Sequence, residues 1–188
     1  MFFKEYIFSL RKFILVAFLV FAFAILLGYF FAQGSPGEAE IVLEQVQEML
    51  EPIIEMPLFG QFLIIFLNNS ITAFFAVILG IIFGILPFLV LLSNGSVLGI
   101  IVYFIQIDND WSTILALILP HGIFEILAII LACAVGFKLA KVALEKVFKR
   151  EVSIKTELNI ALTFFLRFVL PLLAIAAAIE VFLIAKFL

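Results

Sequence analysis

From Leu58 to Ile107 the chain runs without a single Asp, Glu, Lys or Arg. A membrane-spanning helix needs about 20 apolar residues, so this stretch holds two spans and is far too long for one. The rest of the chain agrees. Of its 188 residues 66% are hydrophobic and 13% charged, too little polar surface for a water-facing domain of this size. Lipid is the solvent most of it requires. A turn at Ser93 to Ser96 would leave only about a dozen residues for the return crossing. A turn near Gly84 to Pro87 gives two spans of adequate length. It also puts Asn94 and Gly95 inside the membrane, where a helix break is expected.

The charges are segregated around these runs. Lys4, Arg11 and Lys12 precede a first span from Phe13 to about Ala32. That apolar run lacks a small-residue cleavage site, so it reads as a retained span and not as a signal peptide. Gln33-Gly34-Ser35-Pro36-Gly37 interrupts the helix. Glu38, Glu40, Glu44, Glu48, Glu51 and Glu55 follow with no basic residue among them. Ile41, Val42, Gln45, Val46, Met49, Leu50 and Ile53 recur between them at helical spacing. This pattern predicts an outer amphipathic helix ending near Pro52 or Pro57, either a lid on the bilayer and spans or a cation-attracting or partner-docking surface. Asp108-Asn109-Asp110-Trp111 reads as a short outer loop with its indole at the interface. A fourth span runs from about Ser112 to Phe137. Lys138, Lys141, Lys146, Lys149, Arg150 and Lys155 then outnumber Glu145 and Glu151, predicting a basic inner helix that meets anionic lipid or a protein partner. The last span covers about Leu158 to Ile184. The expected fold is all-α: a polytopic membrane helical bundle forming one domain over residues 1–188. It has about five transmembrane helices plus an outer acidic and an inner basic amphipathic helix. The positive-inside rule places the N-terminus in the cytoplasm and the C-terminus outside the cell membrane.

The chemistry is concentrated in Leu119-Pro120-His121-Gly122-Ile123-Phe124-Glu125, which holds the only histidine. His121 and Glu125 are four apart and share a helix face. At 1.5 Å per residue, Asn68 and His121 lie ~15 Å and Asn94 and Glu125 ~20 Å from the outer ends of their spans. Arg167 lies ~14 Å from the inner edge, near the level of Glu125. A lone charge there costs roughly 2.5 to 3.5 kcal/mol on insertion scales, which an Arg167–Glu125 pair would relieve. Asn68, Asn69, Asn94 and His121 could fill the remaining valences. The set therefore admits three readings. One is a polar clasp fixing helix packing, helped by the small-xxx-small pairs Gly80/Gly84, Gly95/Gly99 and Ala132/Gly136. The second is a binding or permeation site for an ion or small solute. The third is a divalent metal site, zinc for example, using His121 and Glu125, with a dimer completing the three or four ligands zinc needs. Cys133 reads as a packing residue, and no other cofactor is indicated. Glu180 and Lys186 read as reaching water near the outer end of the last span.

Asn68-Asn69 in one span, Ser93-Asn94-Gly95 in the next and the PHG-x-x-E element in the fourth resemble the stage II sporulation protein M family, in order and spacing, over about Phe59 to Gly136. The resemblance implies a small multi-pass protein. The family's namesake acts in engulfment as a membrane scaffold beside peptidoglycan-degrading partners, and members also occur in bacteria and archaea that do not sporulate. No nucleophile–base pair or phosphate-cradling loop is present, so no enzyme is expected. The reading is a membrane scaffold or assembly protein, homodimeric through its small-residue helix faces, with membrane lipids and a protein partner at an amphipathic helix but no nucleic acid. The rival is a small transporter or channel using the same polar cluster. Room for water beside Glu125 would favour the rival, and a dry, fully paired cluster the scaffold.

Overall fold

In lipid every backbone N–H and C=O must find its partner within the segment, so apolar runs free of turn residues become helices. The computed structural model of the chain describes residues 2–108, 119–148 and 151–187, with the backbone alone at 2, 3, 108, 119, 121 and 187. Its helices are α1 (Phe2–Gly34), α2 (Pro36–Ile54), α3 (Leu58–Ile78), α4 (Ile85–Asp108), α5 (Leu119–Val147), α6 (Ile154–Phe164) and α7 (Leu170–Phe187). A 3₁₀ turn (Leu79–Ile81) extends α3, and a π-helical turn (Phe165–Val169) joins α6 to α7. Five stretches are long and apolar enough to cross a membrane: α1, α3, α4, α5, and α6 with α7 as one rod. Bulky side chains such as Leu15, Phe18, Phe23, Leu26 and Phe30 point outward from α1, the surface that lipid would cover. The expected Trp111 loop and the start of the fourth span at Ser112 lie outside the described residues.

Several boundaries differ from expectation for local reasons. The basic N-terminal segment continues the first helix down to Phe2 and does not precede it. Pro52 lies inside α2 near its C-terminal end, and the helix stops at Ile54. The second and third spans turn over residues 82–84, at the near edge of the expected Gly84 to Pro87, and Pro87 falls inside α4. Phe83 and Gly84 take positive φ of 53° and 73°, and the Gly84 N–H donates to the Gly80 carbonyl at 2.8 Å. No break occurs at Asn94-Gly95, because α4 runs straight through them. Gly95 is there for close packing, as a Cβ would strike Ala24 of α1. The basic segment continues the fourth span unbroken through Lys138, Lys141 and Lys146 to Val147. Pro171 has no N–H for the Arg167 carbonyl, and the helix widens into a π turn just before it.

The bundle is organised around α5, with 56% of its most apolar stretch buried against 22% to 33% in the other spans. On one side Ala128, Ala132, Val135 and Leu139 meet Phe164, Phe165, Val169 and Leu173. On the other Ile129, Ile130, Cys133 and Ala134 meet Ala17, Phe21, Val90 and Leu91. The small-residue pairs are used up here. A Cβ on Gly28 would collide with the Ser96 carbonyl, one on Gly99 with the Ile25 carbonyl, and one on Gly80 with Gly136. The faces expected to join two copies are therefore occupied within one protomer.

Near the N-terminal end of α1 a charge is fully engaged. Lys138 Nζ lies 2.9 Å from Glu157 Oε1, donates to Ser9 Oγ at 2.9 Å, and sits 3.9 Å from the centre of the Tyr6 ring. This clasp ties α5 to α6 and α1. In the sequence Lys138 reads as one more interfacial cation, and nothing in its sequence neighbourhood names its partners.

Candidate functional site: a polar cavity within the spans

A cavity of about 500 Å³ lies among the spans beneath α2. Among the described residues its polar lining comes from four different helices: Asn68 and Asn69 of α3, Asn94 of α4, Glu125 of α5 and Glu180 of α7. Ile64 and Ile65 of α3 add apolar wall, and Val46, Met49, Leu50 and Ile53 of α2 line another side. The volume falls within the range that takes small molecules. It exceeds what a directly paired clasp would leave open.

The sequence places α2 there for a simple reason. Its apolar residues recur every three or four positions and form one stripe, while all six glutamates from Glu38 to Glu55 are exposed. Both ends of the helix are pinned. Ala39 is fully buried against Ala32 and Ile100, and Tyr29 nearby donates to Gln106 Oε1 at 2.6 Å, joining α1 to α4. At the other end the buried Gln61 donates from Nε2 to the Ile54 and Met56 carbonyls, each at 2.9 Å. The α2 helix is thus held across the spans with its carboxylates exposed and Val46 and Ile53 half-buried at the cavity, while Ile41, Met49 and Leu50 stay exposed.

Within the cavity the Asn94 amide has a defined orientation. Its Nδ2 donates to the Val90 carbonyl at 2.8 Å, which can only accept, so Oδ1 is the atom left for another donor. Two carboxylates and this amide oxygen make the lining rich in acceptors. Two like charges in one cavity of low dielectric repel, and a bound cation would satisfy both. Chemically the arrangement suits a cation or a hydrogen-bond donor.

Five of the expected or neighbouring polar residues thus meet, but not the whole predicted set. Asn68, Asn69, Asn94 and Glu125 share the cavity, whereas Arg167 does not line it. Arg167 is exposed on the π turn, thirteen residues before Glu180 and so ~20 Å along the same helix. Glu180 takes the place given to Arg167, as a second carboxylate in place of a counter-charge. Its signal was visible, since an acid in a span otherwise apolar from Val169 to Ala185 needs a reason, but its shallow position suggested water. His121 lies on α5 one turn before Glu125, and its side chain lies outside what is described. Among the described residues no three of His, Cys, Asp or Glu group as metal ligands.

Fold and site together define a small polytopic membrane protein with a polar cavity between its helices. The stage II sporulation protein M profile matches residues 17–183, and the chain belongs to that family. It is also 38% identical over 128 residues to an uncharacterized protein of Methanocaldococcus jannaschii, an alignment covering 64% of this chain and 69% of that one. No solved structure matches it.

Proposed function

We propose that this protein binds a cationic solute inside the bilayer and passes it across the membrane. One observation carries the reading: Glu125 and Glu180 share a roomy cavity with three asparagines, among apolar spans. Ionisable groups at such depth are costly and commonly mark solute or ion paths. The glutamates on the outer face of α2 would raise the local cation concentration at that surface. By the positive-inside rule, the end of the bundle carrying Lys4, Arg11, Lys138 and Lys146 faces the cytoplasm and α2 faces outward, with the C-terminus external. A divalent metal such as zinc is the inorganic form of the same reading, with His121 and Glu125 supplying two of the ligands it requires. No catalytic step is part of it.

A second reading, a membrane scaffold, is favoured by the unbroken acidic face of α2, which suits a basic partner surface. There the polar residues only fix helix packing. Uptake of radiolabelled methylammonium and rubidium into proteoliposomes separates the two. Saturable uptake by the wild type, lost in Glu125→Gln, is expected for transport. Wild-type uptake no greater than that of protein-free vesicles, for either ion, would favour the scaffold.

A further inference from the structure

Asn94 and Glu125 line a second cavity as well. This one, of about 140 Å³, lies where α4 and α5 face each other on the side of α1. On α4 the lining residues are Asn94, Val97, Leu98 and Ile101, one helical stripe at spacings of three and four. On α5 they are Gly122, Glu125, Ile126 and Ile129, another such stripe, and α1 adds the Phe21 ring. Apart from Asn94 and Glu125 every contributor among the described residues is apolar. The two polar side chains therefore stand between a large polar chamber and a small greasy one. A volume of this order is large enough to hold a benzene-sized group.

We propose, resting on the reading above, that the solute is an organic ammonium ion carrying one benzene-sized apolar group. The ammonium sits at Glu125 and Asn94 Oδ1, with Glu180 across the large chamber, and its apolar arm fills the small one. An inorganic cation would use the large chamber and leave the small one empty. A neutral molecule of the same shape would leave the carboxylates unpaired.

The test is binding to the purified, detergent-solubilised protein by calorimetry, with benzylammonium, methylammonium and benzyl alcohol as probes. Benzylammonium is expected to bind at least roughly tenfold tighter than methylammonium, as burial of two or more methylene equivalents implies. Benzyl alcohol should give no site-specific signal. Leu98→Trp fills the small chamber and is expected to cancel the difference between the two amines. Val97→Phe serves the same end where the larger ring prevents folding. Equal wild-type affinity for the two amines would overturn the two-chamber proposal and leave the cation site standing. Benzyl alcohol matching benzylammonium would also overturn it. Failure of both amines to bind the wild type, or benzylammonium binding that Glu125→Gln leaves unchanged, would remove the cation reading itself and this proposal with it.

Discussion

The two sides of α4 solve opposite problems with neighbouring residues. On one side Gly95 and Gly99 bring its backbone against Ala24 and Ile25 of α1, so close that no Cβ fits at Gly99, or at Gly28 across the seam. On the other side Asn94, next to Gly95 in sequence, faces a cavity of about 500 Å³ with two carboxylates in it. In lipid no hydrophobic force drives helices together, so close backbone packing has to hold the bundle. The glycine seam provides that rigidity. The polar side can then keep an open cavity, which a bundle held by its polar groups could not.

The largest expected effect breaks the seam. Gly28→Val forces a branched side chain into the Ser96 carbonyl and should cost about 3 kcal/mol or more, seen as loss of the monodisperse folded species in detergent. A folded, equally stable variant would mean the seam is not what holds α1 to α4. Next, Glu125→Gln should raise the thermal unfolding temperature, by the equivalent of about 1 to 3 kcal/mol, because it removes a charge the bilayer resists. A clear drop in stability would instead mark Glu125 as a partner in a structural clasp. Lys138→Met provides the contrast. That lysine is engaged by Glu157 and Ser9 and is only 15% exposed, so its loss should destabilise by about 1 to 2 kcal/mol after allowance for solvent. If both substitutions shift stability in the same direction, the distinction between an engaged charge and a binding charge fails. The smallest effect is expected at α2. Gln61→Ala frees the Ile54 and Met56 carbonyls at about 1 kcal/mol and should speed hydrogen exchange in α2 while sparing α5. Unchanged exchange in α2 would show that the helix is held elsewhere.

Much of this was legible before any coordinates. The span count follows from the uncharged run and the loop charges, and the turn near Gly84 from length alone. Asn68, Asn69, Asn94 and Glu125 line one cavity, and the sequence can bring them to a similar level because depth along a helix is counted at a fixed rise per residue. What counting cannot give is azimuth or the true end of a span. Arg167 counts to the level of Glu125, yet it lies ~20 Å along its helix from Glu180, which lines the cavity with Glu125. The π turn at Phe165–Val169 adds to the difficulty, since it shifts the helical phase of everything after it, including Glu180. The small-residue pairs were also recognised as packing surfaces. Their spacing does not say whether the partner is another span of the same chain or a second copy.

The most direct test of a cation site in the cavity is carbodiimide labelling of the protein in native-like membranes, mapped by mass spectrometry. A carboxyl-directed, membrane-permeant carbodiimide should modify Glu125 and Glu180, and methylammonium or benzylammonium should protect both in a concentration-dependent way. Labelling of Glu125 that no cation slows, at any concentration the membranes tolerate, would contradict the site.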